Sequence, residues 1–264
     1  MDTAPLGRTI GHGALAGVAA GAAGAAVMYW LVEPSIRTAI AIEDAGSAPE
    51  PEAGGHSHMA EELVTRSEQV WFGLLTVLVV GVLIGIAFAL TYRFLRGRLP
   101  GHDSVAGSAM ALAGLGFVAF TLMPALAVPA NPPAVGDPAT VDLRTATYLG
   151  AIVGGIVLTV VVVAVARTRK LEPGMRALAA TLVGIVGTAV VFWVLPDVAD
   201  PIPADVPAQL IWNFRIASMA QLGVMWLVLG AVFAALHAPR PRPPAAPPAD
   251  QPARWLRSAG ARIR

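Results

Sequence analysis

Six long apolar stretches, separated by polar connections, set the pattern of this 264-residue chain. They lie at about 10–32, 70–94, 104–128, 146–166, 175–195 and 210–236, each 21 to 27 residues long. A helix needs ~20 apolar residues to cross the ~30 Å hydrocarbon core of a bilayer, so each stretch predicts a transmembrane helix. The expected fold is all-α: a polytopic membrane helical bundle of about six transmembrane helices within residues 1–238. The first stretch is longer than the ~7–15 residues of a signal-peptide core, and only Arg8 precedes it as a basic residue, so it reads as a retained span. Residues 239–264 form a separate cytoplasmic tail, rich in proline and alanine up to Pro252 and expected to be disordered and partly polyproline. Its basic end, from Arg254 to Arg264, either rests on anionic lipid or is simply solvated.

Composition agrees with the pattern. Hydrophobic residues make up 56% of the chain and charged ones 13%, with a mean hydropathy of +0.66. A soluble domain carries about a quarter of its residues as charges, so an ordinary water-soluble enzyme is excluded. No cysteine is present, which removes disulfides, thiolate metal sites, iron–sulfur clusters and thiol nucleophiles. No G-x-x-x-x-G-K-[ST] run occurs, so the chain has no Walker A loop for ATP hydrolysis. The lipid bilayer is the evident partner, and nothing points to nucleic acid.

The net charge of +1 says little; its distribution says more. Arg37, Arg66, Arg144 and Arg215 lie on one side of the six spans, and the other fourteen basic residues lie on the opposite side. The positive-inside rule therefore predicts both termini in the cytoplasm. Thirteen acidic residues fall on the outer side and four on the inner, which makes the outer face a concentrator of cations.

Small residues recur at helical spacing. Gly13, Gly17 and Gly21 share one face of the first span, and Gly81/Gly85 and Gly150/Gly154 repeat the G-x-x-x-G interval. Such faces let helix backbones approach closely in lipid, either within one chain or between copies of it. Pro124, without an N–H, is expected to kink or end the third span.

Candidate chemistry concentrates in the long, acidic first outer connection, residues 33–69, since long loops tend to be functional or disordered. It holds His56 and His58 at i, i+2 and, if the second span begins near His58, Glu61 and Glu62 one turn further on. Imidazole with carboxylate suits divalent first-row metals, and two His with one or two Glu would hold Co²⁺, Ni²⁺ or Zn²⁺ with exchangeable water positions. The competing reading is a solvated loop with two incidental histidines and a Glu62–Arg66 helical pair. His12 is expected at the membrane interface, and His102 and His237 as solvated loop residues.

The apolar cores contain no carboxylate. Intramembrane charges mark ion pathways, so this scarcity argues against a self-sufficient cation carrier. Ser218, Gln221 and Met225 share a face of the last span and offer a soft, neutral translocation path, although packing and interhelical hydrogen bonds are the stronger reading of them. The proline-rich connection 128–138 is expected to be a rigid, extended cap.

These segments resemble the CbtA-type predicted cobalt transporter subunits of bacteria, in the form associated with actinobacteria. The resemblance spans about 13–236. It is carried by Glu33-Pro34-Ser35-Ile36, Ala39 to Glu43, the His56–His58 pair and Glu61 to Arg66. It continues through Pro129 to Pro138, Arg144, Thr145, Tyr148 and Ile211 to Ser218, with the proline run and Trp212…Arg215 the most specific. It implies cobalt uptake across the plasma membrane, no enzymatic activity and no permanently bound cofactor. His56 and His58 would be metal ligands, and a small single-span His-bearing CbtB-like subunit the partner. The family is usually described with about five spans; the pattern here predicts six. The alternative from another class is a non-transporting membrane scaffold or assembly protein.

Overall fold

The computed structural model describes residues 5–46, 65–133, 135–198, 202–204 and 206–238. Among them there is no strand, and six helical segments are long and apolar enough to cross a membrane. In chain order the helices are α1 (Leu6–Val27), α2 (Glu33–Gly46), α3 (Arg66–Leu95), α4 (Val105–Phe117), α5 (Met123–Ala127), α6 (Val141–Ala166), α7 (Pro173–Val194) and α8 (Ala208–His237). The expected spans coincide with these to within a few residues at most ends. The count is six, not five.

Two differences have a common cause. A π-turn at Met28–Val32 joins α1 to α2, and another at Val118–Leu122 joins α4 to α5. Each is followed by one residue and then a proline, Pro34 or Pro124. Proline offers no N–H to the carbonyl four residues back, and its ring presses on that turn. The preceding residue responds by bonding five residues back: Glu33 N–H donates to Met28 O, and Met123 N–H to Val118 O. Local π geometry of this kind lets a helix continue through a proline. The first helix therefore runs on to Gly46 where a loop from residue 33 was expected, and Pro124 does not end its helix, which continues to Ala127.

Glycine sets the central packing. α1 packs on α3 and α8, α4 on α8, and α6 on α7 and on the α4–α5 segment. A Cβ on Gly17 would stand 2.8 Å from Val82 Cα, one on Gly21 2.9 Å from Leu78 Cα, and one on Gly85 2.7 Å from Gly17 Cα. The two glycine faces are thus filled by each other. Gly150 and Gly154 meet Leu195 and Val191 at the end of α7. These contacts lie within the chain, and association of copies through them would have to displace α3 or α7.

Beside this seam lies an aromatic core. Phe88 and Tyr92 of α3 meet Phe233 of α8 edge-on, with ring centres 5.3 and 5.0 Å apart. By contrast α7 has no buried residue and packs chiefly on α6. An all-round apolar, unburied helix is what a lipid-facing position demands.

Four exposed tryptophans, Trp30, Trp71, Trp193 and Trp212, all lie at one end of the bundle. Amphipathic indoles favour the level of the lipid headgroups. From Leu6 to Trp30 the helix rises about 36 Å, enough for the ~30 Å apolar core, so α2 extends beyond the belt.

Candidate functional site

The belt end carries the bundle's buried charge. Glu33 follows the first π-turn, and its side chain is only 4% exposed. Arg66, the first residue of α3, reaches back 33 positions and donates through one terminal nitrogen to both Glu33 oxygens, at 2.8 and 2.9 Å. Arg37, one turn further along α2, donates to the same carboxylate at 2.9 Å but is itself largely exposed. Thr65 caps α3 by accepting from Glu68 N–H, while the Glu68 carboxylate accepts from Thr65 N–H and Oγ1–H. This reciprocal cap fixes where α3 begins, and so places the Arg66 guanidinium at the level of Glu33.

The sequence pattern had set Glu33 in a loop, and the competing reading of that loop paired Arg66 with Glu62, which lies outside the described residues. Thr65 is extended, α3 starts at Arg66, and Arg66 finds a partner in Glu33 of another helix. Beside the pair a cavity of about 380 Å³ is lined by Tyr29, Arg37, Arg66, Ser67, Val70 and Trp71. Two guanidiniums against one carboxylate leave this dimple positive. It suits an anion better than a metal cation, and Glu33 acts as a clasp between α2 and α3.

A second brace holds the proline-rich cap. Arg215 of α8 donates through Nε to Ala130 O at 3.1 Å and through a terminal nitrogen to Asn131 Oδ1 at 2.8 Å. Pro132 is fully buried, Val135 is buried, and Val135 N–H closes a turn on Pro132 O. The basic residue expected near the outer end of the last span thus anchors the cap expected over it.

His56, His58, Glu61 and Glu62 lie outside the described residues. Among the described residues no group of three or more His, Asp or Glu side chains could hold a metal ion. Of the neutral path residues, Ser218 and Gln221 are half-buried and Met225 is buried. Met225 fills the notch at Gly24, where an added Cβ would lie 2.6 Å from its Sδ. Packing against α1 is therefore one role of Met225.

The opposite end holds what sequence reasoning missed. His237, expected in a solvated loop, is the last residue of α8 and is buried; its Nδ1 stands 3.3 Å from His12 Nδ1 of α1. His102 remains exposed beside Asp103, as expected. The only sequence signal for the pair is that His12 lies near the start of the first span and His237 at the end of the sixth, so six crossings return the chain to the same side.

The fold and these two ends define a six-span, all-helical membrane protein whose polar groups gather at its two faces. A family model described as "Probable cobalt transporter subunit (CbtA)" matches residues 6–238, and the chain belongs to that family. No curated protein and no solved structure matches it. Membership makes the chain a membrane transport subunit and agrees with the resemblance drawn from the motifs.

Proposed function

We propose that the chain is the membrane subunit of a divalent metal uptake transporter of the bacterial plasma membrane, with cobalt as its cargo. The family match across the whole bundle carries this reading. Capture falls to His56 and His58 with Glu61 or Glu62 on the segment that joins α2 to α3. Acidic outer loops raise the local cation concentration, and imidazole with carboxylate gives affinity without closing the coordination sphere. The positive clasp at Glu33 keeps cations from lodging there, so handover runs along the α8 face of Ser218, Gln221 and Met225. A small single-span His-bearing subunit of the CbtB kind completes the path, and the lipid-facing α7 leaves room for it.

The test is cobalt accumulation by cells expressing this chain, with and without the partner subunit. Expression of the pair should raise cell-associated Co²⁺, and replacing both His56 and His58 by Ala should abolish the gain. Equal accumulation with and without the chain would leave a membrane scaffold as its role.

A further inference from the structure

The two histidines that meet at the basic end have a geometry that the clasp and the cap do not explain. We propose that His12 and His237 form a second binding site for a divalent first-row metal ion, a release station at the end of the bundle that the charge distribution assigns to the cytoplasm. This deepens the transport reading above and takes its cargo from it.

The separation of the two nitrogens carries the argument. A tetrahedral ion with metal–nitrogen bonds of ~2.0–2.1 Å has its ligand nitrogens ~3.3–3.4 Å apart, whereas an octahedral one would draw adjacent nitrogens to ~2.9–3.0 Å. The His12 and His237 Nδ1 atoms stand 3.3 Å apart. Their rings are perpendicular, with centres 5.5 Å apart. An ion can replace the hydrogen between the two Nδ1 atoms once both rings carry their proton on Nε2. In that tautomer both Nδ1 lone pairs are free of a proton, as metal ligation by imidazole requires.

The rings are also held. His237 stacks on Phe233, one helical turn back, with centres 5.1 Å apart and planes 13° from parallel. Tyr92 meets its edge at 5.6 Å, and the Tyr92 hydroxyl is fixed by Ser108 Oγ at 2.9 Å. Support of this kind sets the orientation of a ligand before metal arrives. Placement adds charge: His237 ends a 30-residue helix, where free carbonyls give the helix its negative pole. His12 lies in the second turn of α1 and is half-buried, which leaves one side of the pair open to water. Two protein ligands with water at the remaining positions favour exchange over storage, as release requires.

The measurement is Co²⁺ titration of the purified full chain, read by the strong visible bands of tetrahedral Co²⁺. It is made in a background where His56 and His58 are Ala, so that the loop contributes no imidazole. The background protein should show the bands. His12→Gln and His237→Gln should each weaken Co²⁺ binding about ten- to a hundredfold, while His102→Gln leaves it unchanged. Bands absent from the background protein, or unaltered by His12→Gln, would overturn the site. Should His237→Gln misfold, His12→Gln at the half-buried rim decides alone, supported by the Co²⁺-induced rise in melting temperature that it should lose. The two readings fail separately. Cells that accumulate no cobalt, with binding at His12 and His237 intact, retire the transport reading; normal accumulation with binding insensitive to His12 retires the station.

Discussion

Replacing Gly17 by alanine adds a single methyl group and should still open the central seam of the bundle. The new Cβ would stand 2.8 Å from Val82 Cα and 3.0 Å from the Gly81 carbonyl carbon, and closer still to the Gly81 oxygen. Carbon atoms in contact prefer ~3.5–4.0 Å, so α3 must withdraw by about 0.7–1.2 Å at this point. All the obstructing atoms are backbone, and no rotamer change relieves them. The neighbouring contacts at Gly13 and Gly21 lie one turn away on either side, so the retreat loosens them too. A gap of ~0.5–1 Å forfeits a quarter to a half of each contact's attraction, and overpacking of this kind costs about 1–3 kcal/mol. Gly114→Ala is the control: it is also inside a helix, but exposed and with no atom within 4 Å of the added group. There alanine's better helix propensity, up to ~1 kcal/mol in water, acts unopposed. Thermal unfolding in one detergent should therefore lower the midpoint for Gly17→Ala and hold or raise it for Gly114→Ala. Equal midpoints for the two variants would show that α1 and α3 are not in backbone contact.

Arg66→Ala leaves the Glu33 carboxylate buried with only the exposed Arg37 beside it, and should cost about 3 kcal/mol, the lower end for breaking a buried pair; Arg37→Ala removes a largely exposed i, i+4 partner worth about 0.3–0.5 kcal/mol. Denaturation midpoints that fell in the opposite order would contradict the clasp. Arg215→Lys replaces a forked donor by a single point of charge, and should cost about 1–2 kcal/mol of charge-assisted hydrogen bonding and speed proteolysis of the proline-rich cap. In this cysteine-free chain, Ser57→Cys should react with a membrane-impermeant thiol reagent in intact cells and Ser258→Cys should not; the reverse pattern would invert the topology. Calorimetric titration should find Co²⁺ binding to the chain weakened at least tenfold by the double His56→Ala, His58→Ala change, and weakened on acidification as protons compete for imidazole. Equal binding by both proteins would remove the outer loop from the mechanism.

Six spans, the location of the basic residues and the glycine faces were all legible in the linear order of residues. Each depends on the solvent around a local segment: a bilayer accepts ~20 apolar residues in a helix, and a G-x-x-x-G interval lies on one face whatever stands opposite. The motifs from Glu33 to Ser218 carried the family as well. The proposed metal loop, His56 to Glu62, was legible only as composition, because loop residues follow no period that places their side chains. Which face met which was beyond local pattern. Gly13, Gly17 and Gly21 predicted a close approach, and only the packed bundle paired them with Gly81 and Gly85. Packing of the same kind brings Arg66 to Glu33 across 33 residues and, between α1 and α8, His12 to His237 across 225. Residue 33 read as the start of a loop because the apolar run ends at Val32; a π-turn carried the helix on through Pro34 and buried Glu33. Solvent preference acts residue by residue and can be read along the chain, whereas a contact between two spans exists only once their backbones have settled at a distance that steric fit allows.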